Sequence, residues 1–82
     1  MEFRAARREG VTALLLALQD RDPQVRRNAA LIIRDMAGDS SRSEAESSGL
    51  LDALPALSAA RADSDPEVKV WATEAIEALK FR

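Results

Sequence analysis

Four carboxylates at two matched spacings, Asp20 with Asp22 and Asp63 with Asp65, are the side chains most suggestive of chemistry in this sequence. Two carboxylates so close invite a calcium or acid-pair reading. A calcium loop needs more oxygen ligands and a glycine at its sharp turn, and neither corner has one. Histidine, cysteine and tyrosine are absent altogether. That removes the commonest general base and metal ligand, thiolate chemistry, and every Ser/His or Cys/His nucleophile. Gly10, Gly38 and Gly49 are too scattered to build a phosphate-cradling loop. The expectation is therefore no catalytic residue, no metal site and no cofactor. Asp22 and Asp65 have a structural use instead. Each precedes a proline, so the carboxylate can cap a helix while the proline takes its first position, where no N–H is missed.

Both corners exist because the chain repeats itself. Displaced by 43 residues, Asp22-Pro23-Gln24-Val25-Arg26 falls on Asp65-Pro66-Glu67-Val68-Lys69. The same displacement pairs Val11 with Leu54, Leu14 with Leu57, Ala29 with Ala72, Ile33 with Ile76 and Met36 with Leu79, without a gap. Downstream of each corner, Val25, Ala29, Ile32, Ile33 and Met36, and then Val68, Ala72, Ala75, Ile76 and Leu79, keep a helical period. Upstream lie two further apolar helical segments, 11–18 and 54–60. Leu14 to Leu18 is apolar all round, which predicts a helix buried on more than one side.

Shorter elements complete each copy. Gly10 should close a short helix over 3–8, and Gly38 should end the helix before it in a left-handed conformation. Residues 39–43 read as a loop. Ser41 with Glu44, or Ser43 with Glu46, has the spacing of a capping box, so a short helix should restart there. Gly49 and Pro55 should break it, because a proline within a continuous helix costs about 3 kcal/mol. The predicted organisation is one domain over 1–82: repeat one at 1–38, a loop at 39–43, and repeat two at 44–82.

Composition agrees. A chain of 82 residues has room for one small domain. Sixteen alanines and only three aromatic residues suit closely packed helices, not a sandwich or barrel. Twelve basic residues face fourteen acidic ones, so no overall field draws the chain onto nucleic acid. The arginines at 4, 7, 8, 26, 27 and 34 lack interleaved aromatics and read as solvated helix surface. The longest apolar run, 11–18, is far short of the ~18 residues of a membrane span. Glu2, Glu9 and Gln19-Asp20 spoil it as a signal sequence. No membrane partner is expected; the cytoplasm is the default compartment, and the nucleus fits as well.

This layout resembles the armadillo/HEAT-repeat superfamily. The resemblance rests on Asp-Ala-Leu-Pro-Ala-Leu at 52–57, Asp63-Ser64-Asp65-Pro66-Glu67-Val68, the later Ala72, Ala75, Ile76 and Leu79, and their counterparts at 9–14 and 20–30. It implies an all-α, right-handed α-solenoid of two armadillo-like repeats, each of about three helices, that binds proteins or peptides and is not an enzyme. The importin-alpha type reads basic peptides through Trp-x-x-x-Asn on its third helix. Here those positions hold Leu31 and Asp35, then Glu74 and Ala78, so that asparagine ladder is absent. A four-helix bundle is the alternative fold, with antiparallel packing in place of a stacked translation.

Helical projection gathers Gln24, Asn28, Leu31 and Asp35 with Glu67, Trp71, Glu74 and Ala78 on one strip, the candidate concave binding surface. It is acidic with one aromatic, which suits a basic extended peptide or helix; a solvated face of ordinary helix charges is the plain alternative. Trp71 borders the apolar face, where it fills the core or anchors a partner, and geometry favours the core. The run Ser40, Ser41, Ser43, Ser47 and Ser48 beside Glu44 and Glu46 could accept phosphate, but reads first as a polar connector.

Charge is uneven: residues 1–42 carry eight basic and six acidic groups, and residues 43–82 carry four and eight. That asymmetry suits head-to-tail homo-oligomerisation through the open repeat faces. Repeat arrays usually need three or more units. Two therefore point to a piece of a longer array, a self-associating structural unit, or a designed or minimised repeat.

Overall fold

The computed structural model describes the backbone of residues 2–80 and the side chains of 10–41 and 43–80. Its regular elements are α1 (Glu2–Ala17), α2 (Pro23–Asp39), α3 (Arg42–Ser48), a 3₁₀ turn (Leu50–Ala53), α4 (Leu54–Ala60) and α5 (Pro66–Lys80). No strand occurs among the described residues, and none of their helices is long and apolar enough to cross a membrane.

Both Asp-Pro corners start helices as their chemistry requires. Asp22 accepts the Gln24 N–H at 2.9 Å, with Pro23 in the first turn. Asp65 accepts the Val68 N–H at 3.1 Å ahead of the turn that Pro66 opens. The upstream aspartates tighten each corner: Asp20 accepts the Asp22 N–H and Asp63 the Asp65 N–H, both at 2.9 Å. Element bounds follow the same displacement: Val11 and Ala17 of α1 fall on Leu54 and Ala60, the two ends of α4.

The first copy departs from the three-helix expectation. α1 runs unbroken through Gly10, so this copy has two long helices and no separate short one. Gly10 does not adopt a positive φ, and a Cβ built there meets nothing within 4 Å. The loop expected over 39–43 is correspondingly short. α2 continues through Gly38 to Asp39, and only Ser40 and Ser41 separate it from α3. Extended Ser40, not a left-handed Gly38, ends α2, its N–H donating to the Met36 carbonyl at 3.0 Å. A glycine stops a helix only where the following backbone leaves in a direction that a side chain resists.

Gly49 meets that condition. It caps α3 at φ 83°, donating to Ala45 and Glu46 carbonyls, and turns the chain into the 3₁₀ segment. At the other end of α3, Ser41 accepts the Glu44 N–H at 3.2 Å while the Ser41 N–H donates to Glu44 at 2.8 Å, a complete capping box. Pro55 stands in the first turn of α4, where it is tolerated.

Packing is led by α2 against α5; α1 lies on α2 and α4 on α5, while α3 and the 3₁₀ turn fill in beside α1. The shortest extent is 17 Å, two helices thick. Ala30 and Ala37 of α2 and Ala72 and Ala75 of α5 are wholly buried, and such small side chains let helix axes approach closely. Ile33, Leu50, Leu57 and Val68 are the largest fully buried apolar residues. The all-round apolar run in α1 is only partly enclosed: Leu18 is buried, Leu14 and Leu15 pack on the core, and Leu16 is 69% exposed.

Two glycine substitutions should separate by sign. Gly10→Ala should raise stability by about 0.5–1 kcal/mol, the helix-interior difference between the two residues. Gly49→Ala should lower it by about 1 kcal/mol, the cost of a left-handed Cβ. Chemical denaturation measures both. Loss of stability in Gly10→Ala would restore the helix break expected from the sequence.

Candidate functional site

The strip drawn from the sequence lies on α2 and α5, and the structure divides it. Asp35, Glu74 and Ala78 line one open recess between the two helices, joined by Arg34, Gly38 and Asp39. Gln24 and Asn28 lie exposed toward the start of α2, held to each other by a side-chain hydrogen bond of 3.0 Å. Glu67 is exposed in the first turn of α5. None of these three lines the recess. Leu31 is half-buried, and Trp71 is half-buried and packed on the core. Trp71 therefore packs on the core without being fully enclosed.

Arg34 organises the recess. Its guanidinium donates to Asp35 at 2.9 Å and to Glu74 at 3.1 Å. The hydrogen bond to Asp35 most of all, then that to Glu74, raises the Arg34 pKa further despite some loss of hydration. Arg34 therefore stays charged, and three carboxylates (Asp35, Asp39 and Glu74) line the recess with this one cation. Gly38 and Ala78 add no bulk, so the recess is negative on balance and sterically open. An unobstructed ammonium or guanidinium can approach the carboxylates, in competition with Arg34.

Arg26 and Arg27 correct the expectation of solvated surface, while the side chains of Arg4, Arg7 and Arg8 lie outside the described residues. Arg26 forms a two-armed pair with Asp63, at 2.8 and 3.2 Å, and donates to the Asp20 and Arg21 carbonyls of its own corner. Both partners are largely covered, with side chains 15% and 11% exposed. Arg27 adds a bond to Asp65 at 3.2 Å. Asp63 and Asp65 thus have two tasks: holding their own turn and receiving cations from α2. Burial alone would push the Asp63 pKa up; the Asp65 N–H and Arg26 outweigh it and hold the carboxyl below its ordinary 3.8.

Sequence spacing pointed to Asp35, Glu74 and Ala78 but passed over Arg34, Gly38 and Asp39. Arg34 and Glu74 are separated by forty residues of chain, and nothing local signals that they meet. The displacement by 43 offered one clue, because it makes Asp63, in the corner before α5, the counterpart of Asp20, whose carbonyl Arg26 also meets.

The sequence model of the HEAT repeat matches residues 11–39, from the second half of α1 to the end of α2. The match supports a place in the HEAT/armadillo-like repeat superfamily, whose helical repeats are commonly scaffolds for protein interaction. No curated protein and no solved structure matches the chain.

Two measurements test this geometry. Asp63→Asn should cost about 2 kcal/mol, since it strands a mostly covered guanidinium, whereas exposed Asp20→Asn should cost about 0.5 kcal/mol. A lowered folded pKa means the Asp63 contribution is complete above the ordinary value and fades as pH falls through the folded one. The stability gap between wild type and Asp63→Asn should therefore be flat near neutrality and narrow below about pH 4. Trp71→Ala should lower stability by about 2 kcal/mol, less than the 3–5 of a fully buried ring. A loss under about 0.5 kcal/mol, the usual limit for a surface substitution, would mark Trp71 as a contact residue only.

Proposed function

We propose that this chain is a non-catalytic scaffold, a right-handed two-repeat solenoid that binds a basic protein segment across the α2–α5 surface. The observation that carries this reading is the recess, where Asp35, Asp39 and Glu74 outnumber Arg34. Gln24, Asn28, Leu31 and Glu67 extend the same surface toward the Asp-Pro corners with polar and partly apolar contacts. Trp71, half-buried beside it, offers the accessible part of its ring to an aliphatic or cationic side chain. The absence of histidine, cysteine and tyrosine from the sequence agrees with a binding role. The HEAT repeat match at 11–39 supports the scaffold class.

In this reading the partner is an Arg/Lys-rich extended segment or helix. Its cations take over carboxylates that Arg34 holds in the free protein, so Arg34 acts as an internal competitor. Affinity comes mainly from charge, and it should fall as salt rises.

Fluorescence anisotropy with a labelled Arg/Lys-rich peptide at low salt tests the proposal. The expected result is saturable binding, weakened about tenfold by Asp35→Asn with Asp39→Asn and tightened by Arg34→Ala. Trp71 emission should respond to the same titration. Absence of binding, or equal binding of an acidic peptide of the same length, would reject the reading.

A further inference from the structure

Three pairs join α2 to α5 and the corner that opens it: Arg26 with Asp63, Arg27 with Asp65, and Arg34 with Glu74. The 43-residue displacement identifies the same positions on the faces that these pairs leave unused. On α5, Lys69, Val70 and Glu77 stand where Arg26, Arg27 and Arg34 stand on α2. At the first corner and on α2, Asp20, Asp22 and Leu31 stand where Asp63, Asp65 and Glu74 stand in the second copy.

The two unused faces match in part. Lys69 is exposed and has no ion-pair partner among the described residues. It lines a shallow recess on α5 with Val70, Thr73 and Glu74, and Val70 is 51% exposed. Asp20 and Asp22 are exposed, and among the described residues their carboxylates accept only N–H groups of their own corner.

The geometry points to a second copy of this chain as the occupant of the α5 face. Its Asp20–Asp22 corner seats beside Lys69 as the Asp63–Asp65 corner seats beside Arg26. Charge complementarity carries the choice of partner. Lys69 meets Asp20, and on the larger scale an acidic second half meets a basic first half. The contact is head-to-tail, so it extends into short chains and not a closed dimer. It is also weaker than the joint inside the chain. Only the first of the three pairs keeps its charges: Val70 brings none to Asp22, and Glu77 faces Leu31. This inference stands on the ion pairs and their register, independently of whether the α2–α5 recess binds a basic segment.

Sedimentation equilibrium of the full chain over a wide concentration range at low salt tests it without any added peptide. Wild type should associate reversibly, and less so at high salt. Lys69→Asp and Asp20→Lys should each lower the association constant about tenfold, and mixing the two variants should restore it. Val70→Arg rebuilds the second pair opposite Asp22 and should tighten association about tenfold. Circular dichroism of each variant separates loss of contact from loss of fold. A wild type and a Val70→Arg variant that both stay monomeric throughout, or Lys69→Asp associating as well as wild type, would overturn the assignment.

Discussion

The joint between α2 and α5 is the constraint on which the rest of this small protein depends. Its alanines allow the helices to come close, and closeness makes the charges between them count. Arg26 reaches a largely covered Asp63 beside a joint where wholly buried alanines alternate with Ile33 and Val68. A pair so enclosed is costly to break, since the survivor keeps its charge with little water to solvate it. One guanidinium also binds two corners at once, its own through the Asp20 and Arg21 carbonyls and the next through Asp63. The register between copies is therefore set by ionic geometry in addition to apolar packing.

The same joint builds the recess at its other end. Arg34 bridges to Glu74 and to its neighbour Asp35, while Gly38 and Ala78 leave the space beside them open. Arg26 and Arg34 lie on one helix but do different things because their surroundings differ. Arg26 is covered, and its pair fastens the fold. Arg34 is more exposed, so water and salt weaken its pairs, and an incoming cation can compete for the carboxylates.

Much of the architecture was legible from the residues alone. The Asp-Pro corners, the capping box at Ser41 and Glu44, the left-handed Gly49 and the helix boundary near Pro55 are local events. Each depends on hydrogen bonds or sterics within a few residues, which a sequence displays directly. Gly10 and Gly38 misled for the same reason. Their side-chain-free backbone permits a break without imposing one, and the neighbouring segments gain more by continuing as helix. α1 consequently runs on through Gly10, and the first copy has two helices where three were expected.

The sequence by itself determined the helical class, the two matched corners, and a chemistry without histidine, cysteine or tyrosine. Those follow from residue identity and short-range spacing. Only the tertiary structure decided which charges are fastened and which remain available. The pairs of Arg26 with Asp63 and Arg34 with Glu74 span long stretches of chain, and their strength depends on how far water is excluded. Periodicity could place both arginines on helix surface. It could not say that the corner before α5 would hold one in a largely covered pair and leave the other beside an open, acidic recess.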